Sequence, residues 1–242
     1  MRVFAALGLI AATTMVACAG GPFRQYEYEE ETYLSLDGTA TVRVNTSVAA
    51  LDALRGASFD TNPNAAVDGD ALSALFSSPV THVTGITLWR RNGRRYVQIR
   101  LDVDDLTRLS EAKPFAWSTY TFRREDNLYL FRQTVGASAG KDVGTVGWTG
   151  RELVAFRLHL PSKIVYHNAG PGNFKRGNIL VWEQTLGDRR RGAPMMLDAR
   201  METQSILYRT LWLFGATFVA VALMFCAVIW WVLRRGKKTA EA

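Results

Sequence analysis

VTHVTGITLWRRNGRRYVQIRLDV, Val80–Val103, carries the clearest local signal in the chain. Two runs rich in Val, Ile, Leu, Tyr and Trp flank Asn92-Gly93. Asn-Gly readily takes the left-handed conformations that a two-residue hairpin turn requires. The stretch predicts an antiparallel pair, Val80 to Arg91 and Arg94 to Val103.

The same signals recur on both sides. Upstream, QYEYEEETYLSL (Gln25 to Leu36) sets Tyr26, Tyr28, Glu30, Thr32, Leu34 and Leu36 on one phase, a strand with an acid on its apolar side. Glu27, Glu29, Glu30 and Glu31 read as a solvated strand edge that discourages edge-to-edge pairing. Asp37-Gly38 is a turn, and Thr39 to Asn45 is the returning strand. Thr46 or Ser47 caps a helix over Val48 to Arg55 that Gly56 stops. Asp68 or Asp70 caps a second, Ala71 to Ser77, ended by Pro79.

Downstream, Asp104 to Glu111 forms one or two helical turns. Phe115 to Arg124 and Leu128 to Val135 flank the turn Asp126-Asn127. Gly136 to Gly150 is a glycine-rich loop. Strands follow over Arg151 to Leu160, Lys163 to His167, Gly177 to Leu186 and Pro194 to Thr203. This order predicts one α+β domain over residues 25–204, a curved antiparallel sheet with two short helices on one face.

Both ends read as membrane-directed. Met1-Arg2 followed by the apolar run Val3 to Ala12 is too short to span a bilayer and reads as an export signal, residues 1–17. Met15-Val16-Ala17-Cys18 resembles a lipobox, which makes Cys18 a lipidation site with residues 18–24 as its tether. Ala17-Cys18-Ala19 is alternatively an ordinary cleavage site. Leu211 to Leu233 holds no charge and is long enough to cross a bilayer, at 1.5 Å of rise per residue about 34 Å. Trp212 and Trp230-Trp231 stand at its two ends. Arg234, Arg235, Lys237 and Lys238 follow, so the positive-inside rule places the tail, residues 234–242, in the cytoplasm and the domain outside it, periplasmic or extracellular.

The net charge of +7 is therefore partly an orientation signal. Without Arg2, the four tail cations and Glu241, the remainder is near +3, which is no argument for nucleic acid as a partner. The two cysteines, Cys18 and Cys226, leave the domain no disulfide, so its core must stabilise it.

Catalytic signatures are missing. His82, His159 and His167 show no metal-ligand spacing, although His159 and His167 could meet across a strand pair. Asp102, Asp104 and Asp105 read first as helix-capping residues. No glycine-flanked serine elbow or phosphate loop is present. The expectation is a protein that is not an enzyme and has no cofactor or metal. Two basic groups are candidate headgroup contacts: Arg90, Arg91, Arg94 and Arg95 around the Asn-Gly turn, and the run Arg189, Arg190 and Arg191.

LHLPSKIVYHNAGPGNFKRGNILVWEQTL, from Leu158 into the segment ending at Arg200, resembles the LppM-type lipoprotein domain of bacterial cell envelopes. Leu160-Pro161, Ile164-Val165, Asn168-Ala169 and Asn178-Ile179-Leu180-Val181-Trp182 carry the likeness; Ser162 stands where that family more often has Gly. The resemblance implies an envelope domain that binds a lipid or glycolipid and assigns no catalytic residue. The expected function is a membrane-anchored envelope protein binding a lipid or other apolar molecule, in a cavity lined by Ile86, Leu88, Val97, Ile99, Phe131 and Trp182. The alternative is a structural module that docks another envelope protein and has no small ligand.

Overall fold

The computed structural model describes residues 24–239. The expected export signal, Cys18, the tether up to Phe23 and the last three tail residues lie outside them. The architecture is α+β, with two sheets, short helices and one long C-terminal helix. The strands are β1 (Tyr26–Leu34), β2 (Ala40–Ser47), β3 (Thr81–Arg91), β4 (Arg94–Val103), β5 (Ser118–Glu125), β6 (Leu128–Val135), β7 (Leu153–His159), β8 (Ser162–His167), β9 (Phe174–Lys175), β10 (Ile179–Thr185) and β11 (Met195–Ser205). The helices are α1 (Val48–Arg55), α2 (Gly69–Phe76), α3 (Leu186–Arg190) and α4 (Ile206–Thr239).

The strands divide between a seven-stranded sheet, β3-β4-β2-β1-β7-β10-β9, and a four-stranded sheet, β5-β6-β11-β8. All pairs are antiparallel except β1 with β7 at the centre of the larger sheet. The split occurs at Leu160-Pro161-Ser162. Proline cannot donate a ladder hydrogen bond, so the chain leaves β7 there and re-enters the other sheet as β8.

Local chemistry accounts for the elements. Asn92 (φ 51°) and Gly93 (φ 70°) make the left-handed turn of the β3–β4 hairpin. The Ser47 hydroxyl accepts from the Ala50 amide and caps α1, and Gly56 closes it in a left-handed conformation. Every residue of α1 is buried, whereas α2 buries only Leu72 and Phe76.

One face of the larger sheet packs inward against the smaller sheet and the helices. Along β1, Tyr28, Glu30, Thr32 and Leu34 point into the core. The opposite face carries a polar lattice, including Glu29 to Arg157 and Glu31 to His159 at 2.7 Å. The sequence reading of the four glutamates as a solvated edge is corrected here: β1 is flanked by β2 and β7, and Glu27 and Glu30 are buried.

Glu30 is the polar centre of the core. Its carboxylate pairs with the Arg55 guanidinium at 2.7 Å and accepts from Tyr28, Tyr120 and Gln133 at 3.0, 3.2 and 3.0 Å. The Arg55 guanidinium lies over the Trp117 ring, 3.3 Å from its centroid. Burial is the main reason the Tyr28 and Tyr120 hydroxyls stay protonated far above the usual tyrosine range, so both remain donors. Around this centre pack Val42, Val44, Leu51, Leu54, Phe115 and Phe156, all 2% exposed or less. Val97, Ile99, Phe131 and Trp182, expected to line a cavity, are buried in this same packed cluster, Ile86 packs at its margin, and Leu88 is turned to solvent.

The strand registers define two poles. At one lie the β3–β4 turn, the starts of β1 and β7 and the end of β10. At the other lie the β1–β2 turn, the ends of β4 and β7 and the start of β10. Ser205, the last residue of β11, pairs with Ser162 beside the end of β7, so α4 leaves from this second pole. The Ile206 amide donates to the Pro161 carbonyl at 3.0 Å, with no linker between strand and helix.

Removing one partner of a buried ion pair strands the other charge, at a cost of about 3–5 kcal/mol. Glu30→Gln and Arg55→Met should each lower stability by about that much in urea unfolding of the detergent-solubilised chain. The double variant should be less destabilised than the sum of the two, and simple additivity would show that the pair is not coupled.

Candidate functional site

A cleft of about 510 Å³ opens at the pole away from α4. Its walls are the N-terminal end of α1 (Ser47, Val48, Ala49), residues 60–63, Arg94 and Arg95 beyond the hairpin turn, and Val143, Thr145 and Val146 of the glycine-rich segment. Two long connections therefore close over the end of the sheet.

Each wall is held by a buried polar contact. Arg95 donates to the carbonyls of Ala65 and Ala66 at 2.8 and 3.1 Å and to that of Asp60, fixing the loop between α1 and α2. The Glu27 carboxylate, fully buried, gathers Arg94 at 2.6 Å, the Tyr96 hydroxyl at 2.7 Å, and Gln25 and the Trp148 indole at 3.0 Å. It thereby ties the glycine-rich segment to β1 and β4. Burial, followed by the Glu27 hydrogen bond and charge, raises the Tyr96 hydroxyl far above its usual range, so it remains a donor. A register shift between Tyr26 and Tyr28 lets Glu27 and Tyr28 both turn inward.

The other end of the glycine-rich segment is pinned by Glu152. Its carboxylate accepts from the amides of Thr149 and Gly150, both at 2.8 Å. Burial works to raise its pKa, but these amides and the Thr149 hydroxyl outweigh it and hold the carboxyl below the usual glutamate range.

The cleft has the chemistry of an anion or amphiphile subsite. Of the first amides of α1, that of Ala50 is taken by the Ser47 hydroxyl, and those of Val48 and Ala49 stand at the cleft wall at the positive end of the helix dipole. Arg95 adds positive charge, Arg94 is already paired with Glu27, Asp60 stands in the same wall, and Val48, Ala49, Pro63, Val143 and Val146 supply apolar surface. A second cleft, about 410 Å³, lies at the α4 pole between Tyr33, Thr41, Asp102, His159 and Pro161.

The basic groups singled out in the sequence divide sharply. Arg90 and Arg91 are exposed at the hairpin tip, and Arg94 and Arg95 are built into the cleft. Arg189 is fully buried: it donates to Gln184 at 3.1 Å and to the Gly136 carbonyl, and lies over Trp117. Its guanidinium is out of reach of a headgroup. Arg190 lies over Trp148, and Arg191 pairs with Asp188 on exposed surface at 2.5 Å. All of these groups stand at the pole opposite the exit of α4.

The remaining polar candidates have structural partners. His82 contacts Asp104 at 3.0 Å on the surface, and His159 bonds Glu31 and stacks on Tyr33. His167 belongs to the other sheet and stacks on Phe174, so the suggested approach of His159 and His167 across a strand pair does not occur. Asp105 caps a short 3-10 turn, and Asp102 accepts from Thr41. Among the described residues, no three His, Cys, Asp or Glu side chains group as a metal site. The sequence reading missed the cleft's tie, Glu27, because an acid within an acidic run gives no sign of which member turns inward.

No family model matches this chain, and no curated protein matches it. Among solved structures, the NMR structure of the folded domain of LppM from Mycobacterium tuberculosis is similar, with 15% identity and a TM-score of 0.40. The match covers 76% of this chain and 94% of that one. It is a distant likeness in fold, without correspondence of residues or activity.

The depressed Glu152 carboxyl sets a pH test. Its contribution is present above the ordinary glutamate value, about 4.3, and is lost as pH falls through the lower folded value. Glu152→Gln should therefore unfold more easily than the parent chain at pH 7, with the difference closing below about pH 4. A stability gap that stays constant from pH 7 to pH 3 would assign Glu152 a purely steric role.

Proposed function

We propose that this chain is a single-pass, membrane-anchored envelope protein of non-enzymatic type, whose extracytoplasmic domain binds an anionic amphiphile in the cleft between α1 and the glycine-rich segment. The observation that carries the membrane part is α4. Its candidate span, Ile206–Trp231, is long enough to cross a bilayer, and an 18-residue window within it has a mean hydropathy of 2.4 and buries none of its residues against the domain. A soluble helix would hide one face. The cationic tail supports an extracytoplasmic domain.

The binding part is supported by the cleft. Its volume lies within the usual range for small-ligand sites, about 300–1,000 Å³, and is suited to a headgroup with a short apolar portion rather than a whole lipid. Because the expected cavity-lining residues pack in the core, the cleft at the pole is the proposed ligand surface. The ligand class is supported by the walls: a negative group toward Arg95 and the α1 amides, on the side away from Asp60, and apolar groups toward Val143 and Val146.

The second reading, a module that docks a protein partner, is favoured by the open edge of the smaller sheet. There β8 exposes Val165 and Tyr166, 55% and 48% accessible. Such an edge offers both apolar surface and unpaired strand hydrogen-bonding groups.

Native mass spectrometry of the full chain released from detergent distinguishes the readings. An anionic co-purifying mass is expected, and Val146→Trp, which fills the cleft, should reduce its occupancy about tenfold, the change that accompanies losing ~1.4 kcal/mol of binding. An apo mass in both proteins, alongside a cross-linked envelope partner at Val165 or Tyr166, would overturn the ligand reading in favour of the second.

A further inference from the structure

We propose that the β9–β10 hairpin, Phe174-Lys175-Arg176-Gly177-Asn178, is a lipid-surface contact that seats the domain on anionic phospholipid at the mouth of its own membrane helix. This rests on the reading of α4 as a membrane span. It places the headgroup contact at the pole opposite the arginines singled out in the sequence.

The placement follows from the register. β9 pairs with the start of β10, Lys175 opposite Ile179 and Phe174 opposite Leu180, so its turn points to the pole from which α4 leaves. Asn178 and Gly177 adopt φ of 58° and 84°, which makes the turn tight. The turn is bonded to the corner that starts the helix. Asn178 Nδ2 donates to the Ser162 carbonyl at 2.8 Å, the Leu160 amide donates to the Asn178 carbonyl at 3.1 Å, and the Pro161 carbonyl accepts the Ile206 amide at 3.0 Å. Hairpin and helix thus grip the same three-residue corner, Leu160-Pro161-Ser162.

The chemistry fits the bilayer interface. Phe174 is 51% exposed, with its ring stacked on His167 and its outer side open. Lys175 and Arg176 are exposed and form no ion pair among the described residues. An aromatic ring between the acyl boundary and the headgroups, with cations beside it, is the usual composition of an interfacial anchor. Lys163 and Arg209 flank the same corner, both drawn to Glu202, at 3.5 and 3.2 Å. His167 covers only one side of the Phe174 ring, and a hairpin bonded to the corner from which α4 starts has a hydrocarbon boundary within reach.

The test uses the full chain, with Cys18→Ala, reconstituted into vesicles of phosphatidylcholine with phosphatidylglycerol. A fluorophore is placed at the natural Cys226 or, in a Cys226→Ser background, at Phe174→Cys or Arg91→Cys. Quenchers on the acyl chains should quench position 226, which reports the span. Headgroup quenchers should quench position 174 and leave position 91 unaffected. Lys175→Glu/Arg176→Glu, or vesicles of phosphatidylcholine alone, should reduce contact at position 174 by about fivefold for each cation lost, from its usual contribution at an anionic surface. Quenching at 226 with position 174 no closer to lipid than position 91 would overturn this proposal and leave the membrane reading intact. Undiminished contact at 174 after charge reversal would overturn the anionic headgroup role. An unquenched position 226 would overturn the span and this proposal with it.

Discussion

The ion pair between Glu30 and Arg55 is the constraint around which the domain is organised. Glu30 sits on the inward face of a strand that is paired on both sides, and Arg55 closes a helix whose every residue is buried. A carboxylate in such a place requires partners on all sides, and Glu30 has them, whereas Arg55 Nε and Nη1 have no hydrogen-bond partner among the described residues and the guanidinium rests on the Trp117 ring. Tyr28 comes from β1, Tyr120 from β5 and Gln133 from β6, so the carboxylate stitches the two sheets together through directional bonds. Apolar packing around it supplies the larger share of stability, but it is non-directional. The polar centre sets how the sheets and α1 sit on one another.

A second buried cation extends the same centre. Arg189 approaches Trp117 from another side, and burial together with the Arg55 charge lowers its pKa. Through Gly136 and Gln184 it joins the start of the glycine-rich segment to α3 and β10. The cleft wall at residues 143–146 therefore hangs between Arg189 on one side and Glu27 and Glu152 on the other. A loop with so many glycines holds its shape here because its ends are tied by charged hydrogen bonds and Trp148 packs against the core.

Much of the fold was legible in the sequence. The Asn92-Gly93 and Asp126-Asn127 turns fixed their hairpins, Thr46 or Ser47 and Gly56 bounded α1, and the phase shared by Tyr28, Thr32 and Leu34 was legible, although Glu30 on that phase reads in the sequence as solvated edge. The division into two sheets was not, because strand partners are set by long-range packing and a strand's own pattern does not name its neighbour. Pro161 marked the place, but a proline at a strand start serves an edge as well as a change of sheet. The short α3 and β9 fell between the predicted strands, apart from Leu186, which reads as a strand's last residue. The basic groups showed the same limit more sharply. Arginines are equally conspicuous in sequence whether they reach solvent, as Arg90 does, or are swallowed, as Arg189 is.

The positions of the two chain ends have a mechanical consequence. The chain enters the domain through β1 at one pole and leaves through β11 at the other, separated along β11 by about 33 Å. Each is an interior strand of its sheet, bonded on both sides. If both ends were tethered, tension would run parallel to these strands and would have to shear many hydrogen bonds together. Failure would then be set by the rate of unfolding rather than by its equilibrium. Under such a load this domain would behave as a stiff tie rather than as a chain that unzips.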